Sequence, residues 1–261
     1  MTPIVRAAGA PIEQGRAQGA ALGEVIRAEV TRLRASLPWL ARRAIQRRVG
    51  GASARALETQ LPWQRERIEG MAHAARSRES LLLLAEAQTR VAGAAFFGGA
   101  LLSAVFDLPW ELESLVILRH SAPDAGGFAS VELALATTAG CLCGVNSEGI
   151  AVIAIRDLSR DELSLRFHAQ ELLFRARDLD AGIDHLRRRA AYAGGTGTLV
   201  ASDAHGGARV LEFAAGKLEV GDASVLPRAA LAPRVELDPK LCRLRLFSLD
   251  GAQEISALDA H

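Results

Sequence analysis

The sequence is poor in lysine, in cysteine and in long hydrophobic runs, and each shortage excludes something. Only Lys217 and Lys240 are lysines, so arginine carries nearly all of the 31 positive charges. Against them stand 30 acidic residues, leaving a net charge of +1. A balanced chain has no field to gather nucleic acid or an anionic membrane surface, and neither partner is expected. The arginine bias, with the abundance of alanine, reads as codon usage of a GC-rich genome. Three cysteines (Cys141, Cys143 and Cys242) are too few, and odd in number, for a disulfide framework in 261 residues. No further Cys/His pair has ligand spacing, so neither a metal nor another cofactor is expected. The least polar window, Val91 to Phe106, is shorter than the ~20 residues of a spanning helix and is broken by Gly93, Gly98 and Gly99. The opening MTPIVRAAGAPIEQGR lacks the apolar run of a signal peptide. These features predict a cytoplasmic protein without a membrane partner.

About half the residues are apolar, enough for a substantial core. Residues 11 to 48 read as helix with an interruption near Pro38, because Ile12, Leu22, Ile26, Val30 and Leu33 recur at spacings of three and four. Pro62 suits the first turn of a helix reaching about Ala75, and Ser77 reads as the N-cap of a third helix over Ser80 to Ala87. After Gly93 the texture changes. Ser114–Arg119, Ala129–Thr137, Cys141–Val145 and Gly149–Ile155 read as strands, the last two joined by a turn at Asn146. Helices return over Leu165–Arg175 and Asp180–Ala190. Strands Thr198–Ser202 and Ala208–Phe213 follow, joined by Asp203-Ala204-His205-Gly206. The order predicts a single layered α+β domain over 1–261, with a helical part in 1–92 and a sheet-containing part in 93–261. The residues after about 221 carry no clear pattern.

The glycine-rich GGTGT at 194–198 lacks the lysine and following helix of a phosphate loop. His120 and His168 sit in apolar surroundings, but no spacing selects them as catalytic. Cys141 and Cys143, two apart, share one face if both lie in a regular strand.

Six segments together resemble the acyl-CoA:6-aminopenicillanate acyltransferase family, also called isopenicillin N acyltransferase-like proteins. They are GAPIEQGRAQG (9–19), IEGMAHAARSRESLLLLAEAQTR (68–90), GGALLSAVFDLPWELESLVILRH (98–120), GCLCGVNSEGIAV (140–152), ELLFRARDLDAGIDHL and TLVASDAHGGARVLEF. The resemblance spans about residues 5 to 215. It implies the four-layer αββα fold of N-terminal nucleophile hydrolases, in which a precursor cuts itself before a cysteine. That cysteine then attacks amides or thioesters, with its own α-amine as base.

Carried over by residue, the pattern breaks at the chemistry. The nucleophile belongs between Ala92 and Phe97, where there is no Cys, Ser or Thr. Ala104 and Val105 stand where the family has polar residues, and Ile155 where it has the oxyanion asparagine. A later asparagine is absent from Asp222 to Leu226, and the family's C-terminal portion is shortened. Asp107 is retained. The resemblance thus implies a degenerate member that does not process itself. Its expected partner is a small peptide, an acyl ligand or another protein, in peptide or natural-product biosynthesis. Phe96, Phe97, Val105, Phe106, Asp107, Asn146 and Ile155 are the expected ligand-binding residues. The alternative is an active amide hydrolase or acyltransferase with a relocated site, for which Asp107, Cys141 and Cys143 are the catalytic candidates. An obligate homo- or hetero-oligomer is a third expectation.

Overall fold

The computed structural model describes residues 2–38, 54–89, 91–98, 101–157, 163–223, 234–248 and 251–258. The chain is α+β. β1 (Ile4–Gly9) leads into α1 (Pro11–Ser36), a helix over residues 54–60 (α2), α3 (Pro62–Ala74) and α4 (Glu79–Gln88). Then follow β2 (Ala92–Gly98), β3 (Leu101–Asp107), the one-turn α5 (Trp110–Glu113), β4 (Val116–Pro123), β5 (Ser130–Leu135), β6 (Cys143–Asn146) and β7 (Ala151–Asp157). The rest is α6 (Leu165–Arg175), α7 (Leu179–Ala193), β8 (Gly197–Ser202), β9 (Ala208–Ala214), β10 (Lys217–Asp222), β11 (Arg234–Asp238), β12 (Arg243–Ser248) and β13 (Gly251–Ser256).

One curled sheet joins all the strands. Its main path runs β1-β4-β5-β6-β7-β2-β3-β11-β12-β13, and β8, β9 and β10 branch from β7. β7 is the corner, since β2 pairs with it only through Ala92 and Arg156. Beyond that corner the sheet folds back, so that β12 and β13 lie against β5. The two ends are stitched: the Thr2 N–H donates to Gln253 Oε1 at 3.1 Å, and Gln253 Nε2 donates to the Thr2 carbonyl at 3.3 Å.

Strand alternation builds the core between the two halves. Leu102, Ala104, Val235, Leu237, Leu244 and Leu246 face Val131, Leu133, Cys143, Val145, Ala151 and Ile153. The opposite face of β6–β9 carries Val152, Ala154, Leu199, Ala201, Leu211 and Phe213, which α6 and α7 cover with Leu172, Leu173, Ile183 and Leu186. On β12 the outward residues are Arg243 and Arg245, paired with Glu254.

The helix expectations for α1, α3, α6 and α7 match, and Pro11 and Pro62 begin their helices as the fixed φ of proline favours. The part expected over residues 39–48 lies outside the described residues. Ser77 does not cap α4. The N-cap is Arg78, with no side-chain bond. The Ser77 N–H instead donates to the Ala72 carbonyl and closes the end of α3, which Arg76 allows by adopting a positive φ. The strands β1, β2, β3, β10 and β11–β13 escaped the sequence reading. β1 is short and alanine-rich, and it is recruited as the parallel neighbour of β4. β11–β13 supply the outer part of the folded-back sheet.

Candidate functional site

The turn from α4 into β2 is where the resemblance places self-cleavage and a nucleophile, and a buried arginine braces it. Arg166, in the first turn of α6, is 1% exposed. Its Nε donates to Glu86 Oε1 at 2.7 Å, its Nη2 to the Glu86 carbonyl at 2.7 Å, and both terminal nitrogens to the Thr89 carbonyl at 3.2 Å. Burial would lower its pKa, but Glu86 and Asp157 outweigh it and raise it. On the far side of the junction, the Asp157 N–H donates to the Val91 carbonyl at 3.4 Å. Asp157 Oδ2 accepts from Ser164 Oγ at 2.5 Å and from the Leu165 N–H at 3.1 Å. A carboxylate at a helix N-terminus satisfies an otherwise orphaned N–H and complements the helix dipole. Arg166 of α6 thus holds main chain ahead of residue 90, and the end of β7, tied to α6 through the Asp157 carboxylate, holds it after.

Ala92 opens β2 at the mouth between the two sheet halves. Directly across it stand Asp107 on β3 and Arg156 on β7. All three are exposed. Two strand spacings of ~4.8 Å set the two charged residues' strand positions about 10 Å apart. Behind this row, Phe106 and Ile155 are half-buried against the core, with Leu108 and Val116. The row therefore offers a carboxylate and a guanidinium on one face, while Phe106 and Ile155 point to the opposite, core-facing side.

The expected ligand residues do not all meet there. Asp107 does, whereas Phe106 and Ile155 lie on the opposite, core-facing side of their strands. In the β2–β3 hairpin, Phe96 is opposite Ser103 and Phe97 opposite Leu102, so alternation puts the two rings on opposite faces. Val105 shares the face of Phe96 and Ser103, away from Phe106. Asn146 is fully buried and serves the β6–β7 turn. Its Oδ1 accepts from the Glu148 and Ile150 N–H groups, and its Nδ2 donates to the Leu173 and Ala176 carbonyls. All four bonds are internal to the fold.

The two cysteines do not share a face, which corrects the expectation from their spacing. Leu142 donates its N–H to the Leu133 carbonyl at 2.8 Å, and Cys143 is also paired with Leu133. The extra residue is a β-bulge, which breaks the alternation. Cys141 consequently faces α6, while Cys143 lies between the sheet halves. Both are fully buried, and burial drives both thiols well above their usual pKa. Arg119 and Arg67 are close enough to lower Cys141, but burial dominates and Glu132 reinforces it.

Sequence reasoning missed the charges inside the apolar strands. Arg119 in LVILRHS is completely buried. It donates to Glu132 at 2.7 Å, to Gln18 and Gln170, and to the carbonyls of Thr138, Ala139 and Gly140. The signal was legible in principle, since a lone arginine in an apolar strand requires a buried partner. Arg166, buried in the first turn of α6, was missed in the same way, while Arg156 is exposed and needs no buried partner. Elsewhere, a shallow cleft of about 320 Å3 opens by Lys240, Arg243, Leu241 and Leu258, and it holds none of the expected site residues.

Among the described residues, no group of three or more His, Cys, Asp or Glu side chains is arranged to hold a metal ion. No described helix is long and apolar enough to cross a membrane. In comparison with known proteins, no family model matches the chain, and no curated protein is similar enough to count as a relative.

Proposed function

We propose that this chain is a degenerate relative of the N-terminal nucleophile hydrolases that stays uncut and binds a small acylated or peptidic ligand at the mouth beside Ala92. The observation that carries the reading is the Arg166 brace. Its guanidinium holds Glu86 and Thr89 ahead of the junction, while Asp157, beside it, holds Val91 after it. A junction built for cleavage would present a nucleophile, and residues 92–97 have no hydroxyl or thiol. The fold half of the reading is supported by two sheet halves packed face to face with α6 and α7 outside. The four-layer arrangement is part of the proposal.

The ligand follows from the mouth's chemistry. Asp107 suits an amine or amide N–H, and Arg156 a carboxylate. N-acyl amino acids and short peptides combine these groups, which fits a place in peptide or natural-product biosynthesis. A relocated cysteine nucleophile has no comparable support, because attack requires an accessible thiolate.

Intact mass of freshly purified protein tests the first half. A single species near 27.7 kDa is expected. Two fragments meeting at residues 90–97 would overturn it. Calorimetric titration with N-acyl amino acids and dipeptides tests the second. Saturable binding that Arg156→Met weakens by about tenfold, the loss of one charge-assisted contact, is expected. Absence of binding across the panel would leave the mouth without a ligand role.

A further inference from the structure

We infer that a small monovalent anion binds beside α3, held by the buried guanidinium of Arg67 together with the amide of Gln64. This site is separate from the mouth beside Ala92 and does not rest on the reading given for it.

The argument begins with an excess of donors. Arg67 is 1% exposed, and only its Nη2 finds an acceptor, Ser121 Oγ at 2.9 Å. Nε and Nη1 are buried without a partner. An arginine has five N–H bonds, so three of them point at nothing. One turn earlier on the same helix, Gln64 is fully buried, and neither end of its amide has a partner. Five unmatched donor hydrogens thus meet one unmatched acceptor. Each unpaired buried group costs about 1–3 kcal/mol, so a native fold that kept all of them empty would discard much of its stability.

The charge balance points the same way. Among the described residues, two guanidiniums, those of Arg67 and Arg119, face one carboxylate, that of Glu132. Glu132 is already committed: Oε2 accepts from Arg119, and Oε1 accepts from Ser130 at 2.5 Å and Gln170 at 2.7 Å. Arg119 is compensated, and Arg67 is the surplus cation. Burial, and then the charge of Arg119, lower its pKa to about 9, which leaves it charged at pH 7. Water would supply acceptors but no charge. A chloride or formate ion supplies both, and it suits a site where neither Gln64 nor Arg67 is open to solvent.

The test uses the whole chain at pH 7 and constant ionic strength, replacing sodium gluconate stepwise with sodium formate or sodium chloride. A saturable rise in Tm with the small anion, absent with gluconate alone, is expected. Arg67→Met should abolish that rise, and Gln64→Leu should weaken the midpoint by about tenfold. Should Arg67→Met fail to fold, Gln64→Leu decides, since it removes no charge. An equal Tm in all three salts overturns the inference, because water then fills the role. A response in Gln64→Leu equal to that of the unmodified chain overturns it too.

Discussion

Arg166 holds Glu86 twice, through the carboxylate and through the main-chain carbonyl, both at 2.7 Å. The pair joins the start of α6 to the end of α4, 80 residues away in sequence. It is therefore a tertiary lock, and both partners are buried.

Breaking such a lock from one side is costly. Arg166→Met leaves Glu86 without its cation, and Glu86→Gln leaves Arg166 with the more distant Asp157, at 4.0 Å. Each single variant should lose about 3–5 kcal/mol by urea denaturation. The double variant Glu86→Gln/Arg166→Met should lose less than the sum of the two, because neither charge is left stranded. Strict additivity would show that the pair is not coupled.

Thiol reactivity follows burial and the bulge at Leu142. In native protein at pH 8, Cys141 and Cys143 should not react with an aromatic disulfide reagent. Cys242, whose thiol is also raised by burial but lies in a turn near the surface, should react slowly if at all. In denaturant all three should react at once. Fast labelling of Cys141 or Cys143 in the folded state would revive a thiol mechanism.

How much of this was legible in the sequence depends on what sets each feature. The helices carrying Ile26, Ile68 and Ile183 were legible because their apolar spacing is local. The β6–β7 hairpin was legible because Asn146 and Gly149 are turn residues. β1 was not, since it becomes a strand only by pairing with β4. Strands β11–β13 were missed although Leu244 and Leu246 alternate with Arg243 and Arg245, because no neighbouring strand could be assigned. The cysteine faces were misjudged because a bulge is a property of two strands, and one strand's spacing does not reveal it. The site was legible only in part. Asp107 lies at the mouth, with Phe106 and Ile155 turned to the core, and Arg156 completes it from a strand whose register the sequence does not fix.

Acid should destabilise the protein in two stages. Burial lowers the pKa of His168 below 6.5, while the Gly194 carbonyl, Glu171 and Asp157 pull it back in part. The unfolded chain takes up that proton more readily, so stability falls as pH drops through 6.5. Burial would raise Glu132 and Glu171. Arg119, Arg67, Ser130 and Gln170 outweigh it at Glu132, and His185, Arg189 and Trp63 at Glu171, so both end below 4.5. Their contribution is whole above 4.5 and is lost as pH falls through their folded values. His168→Gln should flatten the upper stage and leave the lower one, as read from urea midpoints between pH 8 and 3. A single stage in the unmodified chain would refute this assignment.

The packing of α1 on α3 gives the sharpest mutational contrast. A Cβ at Gly15 would lie 1.9 Å from the Arg67 carbonyl oxygen, and one at Gly70 would lie 2.0 Å from that of Ile12. Both obstacles are backbone, so no side chain can swing aside. In an open helix, glycine to alanine gains roughly 0.5–1 kcal/mol. Here the clash should exceed that gain, and Gly15→Ala should lose about 3 kcal/mol in urea, the upper range of overpacking. Gly23, on the same helix, is the control. A Cβ there would meet the end of the Arg27 side chain at 3.2 Å, and that flexible group can give way. Gly23→Ala should be neutral or stabilising. Because Gly15 packs on the carbonyl of Arg67, Gly15→Ala should also abolish the formate response if the folded state survives. Equal stability of the two variants would mean that α1 and α3 do not approach this closely.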